Sequence, residues 1–322
     1  MPELKEVSLK ELAGEEIYRL SYFRALEALK ISLKEAGQLS PLFVLAQKDR
    51  LILFNGYLRK QAMEELGWEG AWAIIWKENE LTLKEAFRRG FLENALSRGL
   101  NLIEQAKAVK SLFYFGASEQ EILKDYFHPA GINFPFKLLE KLPSLLELEQ
   151  DWQRYLVEKK SDWKTAELIL DFSRPELEEL KILLSLGPSL SQLRNSLRWL
   201  QETKKRDACS IKEIFERINA EQILGEEDIS PRDKLKRILQ ELFKLRYPAY
   251  DRLLARHKKL CSQLKIPAQV KLEPSDYFET PEYQLTLKIT PASPIKQNLE
   301  NLLKAVEHPL WKKLFEFNED ED

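Results

Sequence analysis

The chain has 322 residues, of which 44% are hydrophobic and 32% are charged, and its formal net charge is −2. This composition supports a buried core and more than one domain, but it gives no whole-chain basic signal for nucleic acid and no apolar run of the roughly 20 residues that span a membrane. The two cysteines, Cys209 and Cys261, lie far apart, so we expect no disulfide framework. The first residues lack an apolar signal segment, and these features together predict a cytoplasmic protein without a membrane partner.

The first predicted elements form an α/β unit. Short apolar runs predict strands over 41–45, 51–54 and 71–76, and the polar turn between the first two predicts a hairpin. The segments 25–35 and 57–66 have helical composition, and each ends close to a glycine. We therefore expect a small sheet with at least two helices in this part of the chain.

The next predicted elements are helices. Leu102, Ala106, Val109 and Phe113 recur at helical spacing and predict one amphipathic helix. From 138 to 202 the pattern indicates short helices that are separated by proline-containing breaks. We expect a helical middle region without strands.

The last part of the chain has an uneven charge distribution. Between Arg232 and Lys265 there are eleven Lys or Arg residues against three Asp or Glu residues. The acidic tail at 318–322 is expected to be disordered. The elements predicted here are, in chain order, a basic helix over 232–264 interrupted near Pro248, β-like runs over 269–272 and 283–289, and a final helix over roughly 295–306.

These patterns predict an α+β fold in three parts. The first is a small α/β domain at 1–100, and the second is a mostly helical domain at 101–205. The third, at 206–322, combines the basic helix with a helix–strand–helix module. The boundary near 205 follows from a change in composition at 204–207.

The first candidate site is the turn after the second strand. Gly56 follows that strand, and Arg59 falls in the first turn of the next helix. A helix N-terminus offers free backbone N–H groups and a positive dipole end, and glycine lets a phosphate approach closely. Arg59 would add a charge-assisted pair of hydrogen bonds. The turn therefore predicts an anion site, although the same strand–Asn–Gly–helix pattern is commonly no more than a turn, and both interpretations stay open here.

The second candidate site is the acidic and amide pair Glu93 and Asn94. A carboxylate and an amide oxygen are suitable ligands for a hard cation such as Mg²⁺, and the amide also suits a phosphate. The alternative is that the pair is simply the polar end of one helix and that Asn101 caps the next.

The order and spacing of these segments resemble the N-terminal domain of the ParB family, which is distantly shared with sulfiredoxin. In that family an apolar hairpin leads into a Gly-Glu-Arg-Arg-x-Arg-Ala box, and a Glu-Asn-x-x-Arg-x-x-Leu-Asn-Pro-x-Glu-x-Ala box follows. We call the matching segments 56–62 and 93–106 the first box and the second box. The matching positions are Gly56, Arg59 and Ala62 in the first box, and Glu93, Asn94, Leu100, Asn101, Glu104 and Ala106 in the second.

This resemblance implies a nucleotide site. Gly56 and Arg59 would bind the triphosphate of a nucleotide, CTP in the family or else ATP, and Glu93 and Asn94 would support Mg²⁺ and phosphate. Any hydrolysis would rely on Mg²⁺ to activate water, as in a weak nucleoside triphosphatase (CTPase). The catalytic residues are unknown.

Departures from the family pattern weaken this expectation. Leu58 and Gln61 stand where the first box has arginines, and Ser97 replaces the arginine of the second box, with Arg98 one residue away as a substitute. Fewer charge-assisted bonds predict weaker triphosphate binding. Sulfiredoxin has its reactive cysteine directly after the glycine, where this chain has Tyr57, so sulfiredoxin chemistry through that nucleophile is excluded.

The segment 116–142 occupies the place of the DNA-reading helix-turn-helix of the family. A first helix is predicted over 119–126, but the second departs, because 131–136 has the apolar sequence GINFPF. Base edges are read by hydrogen-bond donors and acceptors. We therefore expect no sequence-specific DNA recognition here, and we expect Phe134 and Phe136 to belong to the core.

The basic stretch 232–265 is the remaining candidate for DNA contact. Arg252, Arg256, Lys258 and Lys259 would grip phosphates without sequence specificity. They would equally serve as a solvated face over a leucine core, and the two interpretations stay open.

The leading hypothesis is a nucleotide-responsive protein that is associated with DNA, in partition or regulation, and that forms a homodimer or binds a protein partner. The first alternative is a non-catalytic scaffold whose nucleotide pocket has decayed. A ParB-like nuclease is a third possibility, but the sequence has no evident nuclease carboxylate cluster. The nucleotide hypothesis predicts that the two boxes face one cleft.

Overall fold

The computed structural model describes residues 1–267, 269–275, 278–289 and 295–316. The chain divides into two compact units, residues 1–194 and 195–322. The α+β class is confirmed, and no described helix has the length and apolar character needed to cross a membrane. The predicted three-part division, with boundaries at 100 and 205, stays a prediction, and the acidic tail at 318–322 lies outside the described residues.

The first unit contains a mixed five-stranded sheet with the order β1-β5-β3-β4-β2. β3 runs antiparallel to β4 and parallel to β5. The three predicted strands are confirmed, whereas β1 and β2 were not predicted. The strands are β1 (Glu3–Ser8), β2 (Leu12–Gly14), β3 (Leu42–Gln47), β4 (Arg50–Asn55) and β5 (Gly70–Lys77).

Helices pack against both faces of this sheet. On one face, Leu33 and Met63 pack with strand residues such as Val44 and Leu53 in one buried cluster. On the other face, the rings of Phe43, Phe54 and Trp76 form an aromatic cluster. These residues alternate along the strands with those of the first cluster, because successive side chains of a strand point to opposite faces of the sheet. The helices are α1 (Glu27–Ala36), α2 (Tyr57–Glu65), α3 (Leu83–Arg98) and α4 (Leu102–Tyr114).

The rest of the first unit is helical, as predicted. After α5 (Glu119–Glu121) the chain forms a π-helix (Ile122–Phe127) and later a 3₁₀ helix (Phe136–Glu147). Four α-helices follow, namely α6 (Gln150–Glu158), α7 (Trp163–Leu170), α8 (Arg174–Ser185) and α9 (Leu190–Asp207), the last of which contains the division between the units.

The segment in the helix-turn-helix position has no second α-helix after the loop at 131–135. Phe134 is buried, with its ring edge against Phe127 and Trp163, so its assignment to the core is confirmed. The core prediction for Phe136 is wrong, because its side chain is 49% exposed. A 3₁₀ helix repeats every three residues, and Phe136 lies at the open end of the buried row Leu139, Leu142 and Leu145.

The second unit is a set of helices with a two-stranded antiparallel sheet. The basic helix is confirmed as two helices that meet at Pro248, and both β-like runs and the final helix are confirmed. Leu260, Leu272 and Ala305 share one buried cluster. The elements are α10 (Ile211–Arg217), α11 (Ala220–Gly225), α12 (Pro231–Arg246), α13 (Pro248–Gln263), β6 (Val270–Pro274), β7 (Tyr283–Leu287), α14 (Ile295–Glu307) and a 3₁₀ helix (Pro309–Phe315).

Candidate functional site

The two boxes face one cleft of about 180 Å³ in the first unit. Gly56 and Arg59 line it from the start of α2, and Glu93, Asn94 and Arg98 line it from the C-terminal half of α3. Arg59 Nη1 lies 4.0 Å from Glu93 Oε1. The prediction that these segments share one cleft is confirmed, while the ligand roles of the five residues stay predictions.

The start of α2 leaves backbone donors available. Gly56 has a φ of +101°, and a Cβ at this position would lie 2.7 Å from Leu42 Cδ2, so only glycine fits the turn. No side chain caps α2, whereas α3, α4, α8 and α10 each begin with a capping box. Since the first N–H groups of a helix have no partner within it, the first turn of α2 can donate to an anion.

Arg59 supplies positive charge at a partly desolvated position. Its side chain is 20% exposed, and its Nη2 donates a hydrogen bond to the Pro41 carbonyl at 3.2 Å. Burial lowers the pKa of the guanidinium, and Glu93 opposes that shift. Its Nε is buried and has no hydrogen-bond partner among the residues that the structure describes. A buried donor without an acceptor is unfavourable, so an anion near Arg59 would be stabilised by both charge and hydrogen bonding.

Asn55 was not predicted as a site residue, yet it connects the two boxes. The side chain is 3% exposed. Its Nδ2 donates to Glu93 Oε2 at 2.8 Å, and its Oδ1 accepts from Asn94 Nδ2 at 3.0 Å and from the Gly56 amide at 2.8 Å. The signal in the sequence was a lone polar residue at the end of the apolar run LILFN. Asn55 therefore fixes the position of Glu93 relative to the turn.

Asn94 is held by protein groups on both sides of its amide. Besides Asn55, its Nδ2 donates to the Gly90 carbonyl at 2.7 Å, and its Oδ1 accepts from Arg98 Nε at 3.0 Å. Both amide hydrogens are thus in use. In this arrangement Asn94 positions Asn55 and Arg98, and one lone pair of Oδ1 is left for a further contact.

The second half of the second box is structural. Glu104 is completely buried and pairs with both Arg24 and Arg98, at 2.6 and 2.9 Å. It also accepts from the backbone amides of Tyr22 and Asn101, each at 3.1 Å. The hydrogen bond to Glu104 raises the pKa of Arg24, whereas burial lowers that of Arg98. The alternative that Asn101 is a helix cap is confirmed by its capping box with Glu104.

The donor set of the cleft fits Mg²⁺ only together with phosphate oxygens. Among the described residues, no three acidic, histidine or cysteine side chains are grouped to hold a metal ion. Of the described residues that line the cleft, Glu93 alone carries a carboxylate. Mg²⁺ commonly takes one or two carboxylates and completes its shell with substrate phosphates and water, which is the arrangement that this cleft would offer.

Tyr57, which follows the glycine of the first box, has a structural role. Its hydroxyl lies 2.6 Å from the Leu53 carbonyl and 3.1 Å from the Glu15 amide, which donates to it. Burial raises the pKa of this phenol. The side chain joins α2 to β4 and to the segment after β2.

The predicted DNA contacts lie on α13 of the second unit. Arg252, Lys258 and Lys259 are exposed and Arg256 is half-buried, while His257 between them is buried. Arg252, Arg256 and Lys259 fall on one helical face by their spacing. These four side chains therefore form a basic surface on α13 that is accessible to solvent. The role of this surface in DNA contact stays a prediction.

No family model matches this chain. It is 24% identical over 238 residues to a "Probable chromosome-partitioning protein ParB" of Campylobacter jejuni, which covers 69% of this chain and 81% of that protein. It is also 24% identical over 178 residues to a "Nucleoid occlusion protein" of Halalkalibacterium halodurans. That alignment covers 55% of this chain and 60% of the relative. A C-terminally truncated ParB of Caulobacter crescentus, solved with CTP-γ-S, has 23% identity and a TM-score of 0.27, over 54% of this chain and 94% of that one.

Proposed function

Since this chain belongs, as a divergent member, to the ParB/sulfiredoxin-like family, we propose that it is a nucleotide-responsive protein that acts on DNA in partition or regulation. The nucleotide is CTP or ATP, bound with Mg²⁺. The observation that carries the proposal is the single cleft formed by the Gly56 turn and by Glu93 and Asn94. Arg59 and Arg98 bring two guanidinium groups to the same cleft.

We assign the phosphate end of the nucleotide to this cleft. Its volume of about 180 Å³ is below the roughly 300–1,000 Å³ of pockets that enclose a whole small molecule. The uncapped start of α2 and the unpartnered Nε of Arg59 offer donors to phosphate oxygens. The nucleoside would then extend beyond the cleft.

Glu93 is the residue assigned to the metal. Asn55 orients its carboxylate through Oε2, and Oε1 faces Arg59. Mg²⁺, when bound with the phosphates, would reduce their negative charge and their mutual repulsion. Asn94 is assigned to holding this arrangement, and no residue is assigned to hydrolysis.

The affinity for nucleotide is expected to be modest. Leu58 lines the cleft where the family has an arginine. Arg98 already donates to both oxygens of Glu104, so it would have to share its charge with a ligand. Fewer free charge-assisted bonds mean weaker binding.

Binding of labelled CTP and ATP, with and without Mg²⁺, tests the site by calorimetry. Arg59→Ala should abolish binding. Lys60→Ala is the matched control, because Lys60 is the next residue on α2, pairs with Glu64 and does not line the cleft. No binding by the wild-type protein would favour the alternative of a scaffold with a decayed pocket.

We assign DNA contact to the exposed side of α13. The loop and 3₁₀ helix at 131–147 place a leucine row in the core and offer no second α-helix for groove reading. Lys and Arg side chains on α13 suit phosphates, so binding should be salt-sensitive and nearly independent of sequence. Changing Arg252, Arg256, Lys258 and Lys259 together to Gln should remove DNA binding across a salt series. Retention at the wild-type level would exclude this surface.

We propose that the second unit also forms a homodimer. The apolar side chains Ile295, Leu299, Leu303 and Val306 are exposed along α14. An apolar stripe at helical spacing that stays exposed in the described part of the chain marks an interaction surface. Leu299→Glu combined with Leu303→Glu should yield a monomer in sedimentation equilibrium, and a wild type that is already monomeric would refute the proposal.

A further inference from the structure

A second cavity in the first unit has about 940 Å³, five times the volume of the nucleotide cleft. It lies between the end of α3, the start of α4, the loop at 130–135 and the start of α7. We propose that this cavity binds a small organic anion with a flat apolar body, such as an aromatic carboxylate, sulfonate or phosphate. Of the residues that line the cleft at Gly56, this cavity shares Arg98 alone, so its binding does not require Gly56, Arg59 or Glu93.

The walls of the cavity explain the apolar body of the ligand. Ile132, Phe134, Leu138, Leu156 and Trp163 line it. The size falls within the range of about 300–1,000 Å³ that is usual for small-molecule sites with apolar walls and a few polar groups. The rings of Phe134 and Trp163 pack edge to face with their centroids 5.4 Å apart, which gives the wall a rigid aromatic part.

The charge at the cavity explains the anionic group. Lys160 and Lys164 line it, both are exposed, and neither has an ion pair within the described part of the chain. The acidic residues at the cavity are already occupied, because Asp162 pairs with an arginine of α9 at 2.8 Å and Glu167 lies 4.0 Å from a lysine. The uncompensated charge at this opening is therefore positive.

Arg24 and Arg98 add to this positive charge. Both line the cavity, and both depend on the single carboxylate of Glu104. Two guanidinium groups with one carboxylate leave one positive charge in excess. Because electrostatic attraction is stronger away from bulk water, an anion beside these two partly buried arginines is favoured.

Two polar atoms in the wall have no partner. Ser161 Oγ and Trp163 Nε1 are buried and make no hydrogen bond, and they are two of four such side-chain atoms among the described residues. Both residues line this cavity. Buried polar groups without partners are rare in folded proteins. Acceptor atoms of a ligand that seats against Ser161 and Trp163 would satisfy both donors.

The cavity can be tested apart from the nucleotide site. Arg98 lines both, but Arg59 and Glu93 line only the cleft, and Lys160 and Lys164 line only the cavity. The probe is anilinonaphthalene sulfonate, an aromatic anion, titrated by calorimetry into the full chain. We expect saturable binding of one equivalent.

The variants Lys160→Gln with Lys164→Gln should weaken this binding about tenfold, since two uncompensated charges are lost. Lys124→Gln with Lys159→Gln is the control, because these exposed lysines do not line the cavity, and it should bind as the wild type does. Trp163→Phe, which keeps a smaller aromatic ring but removes the N–H donor, should weaken binding as well.

Arg59→Ala separates this proposal from the proposed function, because it should abolish nucleotide binding and leave the binding of the sulfonate unchanged. Three results would overturn the proposal. These are no saturable binding by the wild type, equal affinity in the wild type and the Lys160 and Lys164 double variant, and loss of sulfonate binding in Arg59→Ala.

Discussion

The two boxes begin their helices in opposite ways. In the first box, α2 starts at Gly56 in a left-handed conformation without a side-chain cap. In the second box, α4 starts at Asn101 with a complete capping box to Glu104. The first start leaves donors for a ligand, whereas the second uses its polar groups to hold the fold together.

This difference divides the second box into two parts. Glu93 is the part that faces the cleft, and Glu104 is the part that joins α3, α4 and the segment before α1. A shared motif therefore does not imply a shared role for its residues. Substitutions in the two parts should separate binding from stability.

The largest expected effect is that of Glu104→Ala. Removing one partner of a buried ion pair leaves the other charge uncompensated, which usually costs about 3–5 kcal/mol. Because Arg24 and Arg98 stay partly exposed, we expect the free energy of unfolding to fall by roughly 3 kcal/mol. Urea denaturation measures this change. Glu93→Ala, in contrast, should lower the free energy of unfolding by only about 1 kcal/mol, because it leaves the buried Asn55 Nδ2 without its acceptor, but it should abolish the Mg²⁺ dependence of nucleotide binding. Equal destabilisation by the two variants would contradict the division of the second box into a binding part and a structural part.

The next effect concerns the contact between α3 and β4. A Cβ on Gly90 would lie 2.6 Å from the Phe54 carbonyl oxygen, a backbone atom that cannot move aside easily. Gly90→Ala gains about 1 kcal/mol of helix propensity, but overpacking costs roughly 1–3 kcal/mol, so we expect net destabilisation of about 1 kcal/mol and weaker nucleotide binding, because Glu93 and Asn94 shift with α3. Gly225→Ala, with nothing near the added Cβ, is the control and should not destabilise the protein.

The first box can also be strengthened. Leu58 lines the cleft, whereas Gln61, which also replaces a family arginine, does not and instead bonds to Glu65. Leu58→Arg should therefore tighten triphosphate binding by about fivefold through a new charge-assisted contact. Gln61→Arg should change it far less. Calorimetry with the two variants side by side tests this ranking, and an equal gain in both would mean that general positive charge, and not the cleft, attracts the nucleotide.

The predicted elements were recovered where a local pattern was strong. The hairpin β3–β4 and the break at Pro248 both follow from short-range signals. β1 was missed because only Val7 of its six residues is buried, so it carries no alternating apolar pattern. β2 has only three residues, too few for a pattern.

The site was predictable in location but not in detail. The resemblance of the two boxes to the ParB family correctly indicated one cleft, whereas local sequence alone predicted only the strand end and the helix after it. The hydrogen-bond network was not predictable, because its partners are distant in sequence. Arg24 and Glu104 are 80 residues apart, and Asn55 and Glu93 are 38 apart. Only the packing of α3 against β4 brings the latter two together.

The smallest expected effect tests the capped start of α4 directly. Asn101 Oδ1 accepts from the Glu104 amide at 2.9 Å, and loss of such a cap costs about 1 kcal/mol in an alanine variant but only a few tenths in a glycine variant. Asn101→Ala should therefore lower the urea midpoint more than Asn101→Gly. Asn101→Asp keeps the cap but loses the hydrogen bond that Asn101 Nδ2 donates to the Tyr22 carbonyl, so its midpoint should fall between those of the wild type and Asn101→Ala. Nucleotide affinity should be unchanged in all three, because Asn101 does not line the cleft. A loss of nucleotide binding in Asn101→Gly, at nearly wild-type stability, would show that the cap of α4 also serves the ligand, and the contrast between the two helix starts would no longer hold.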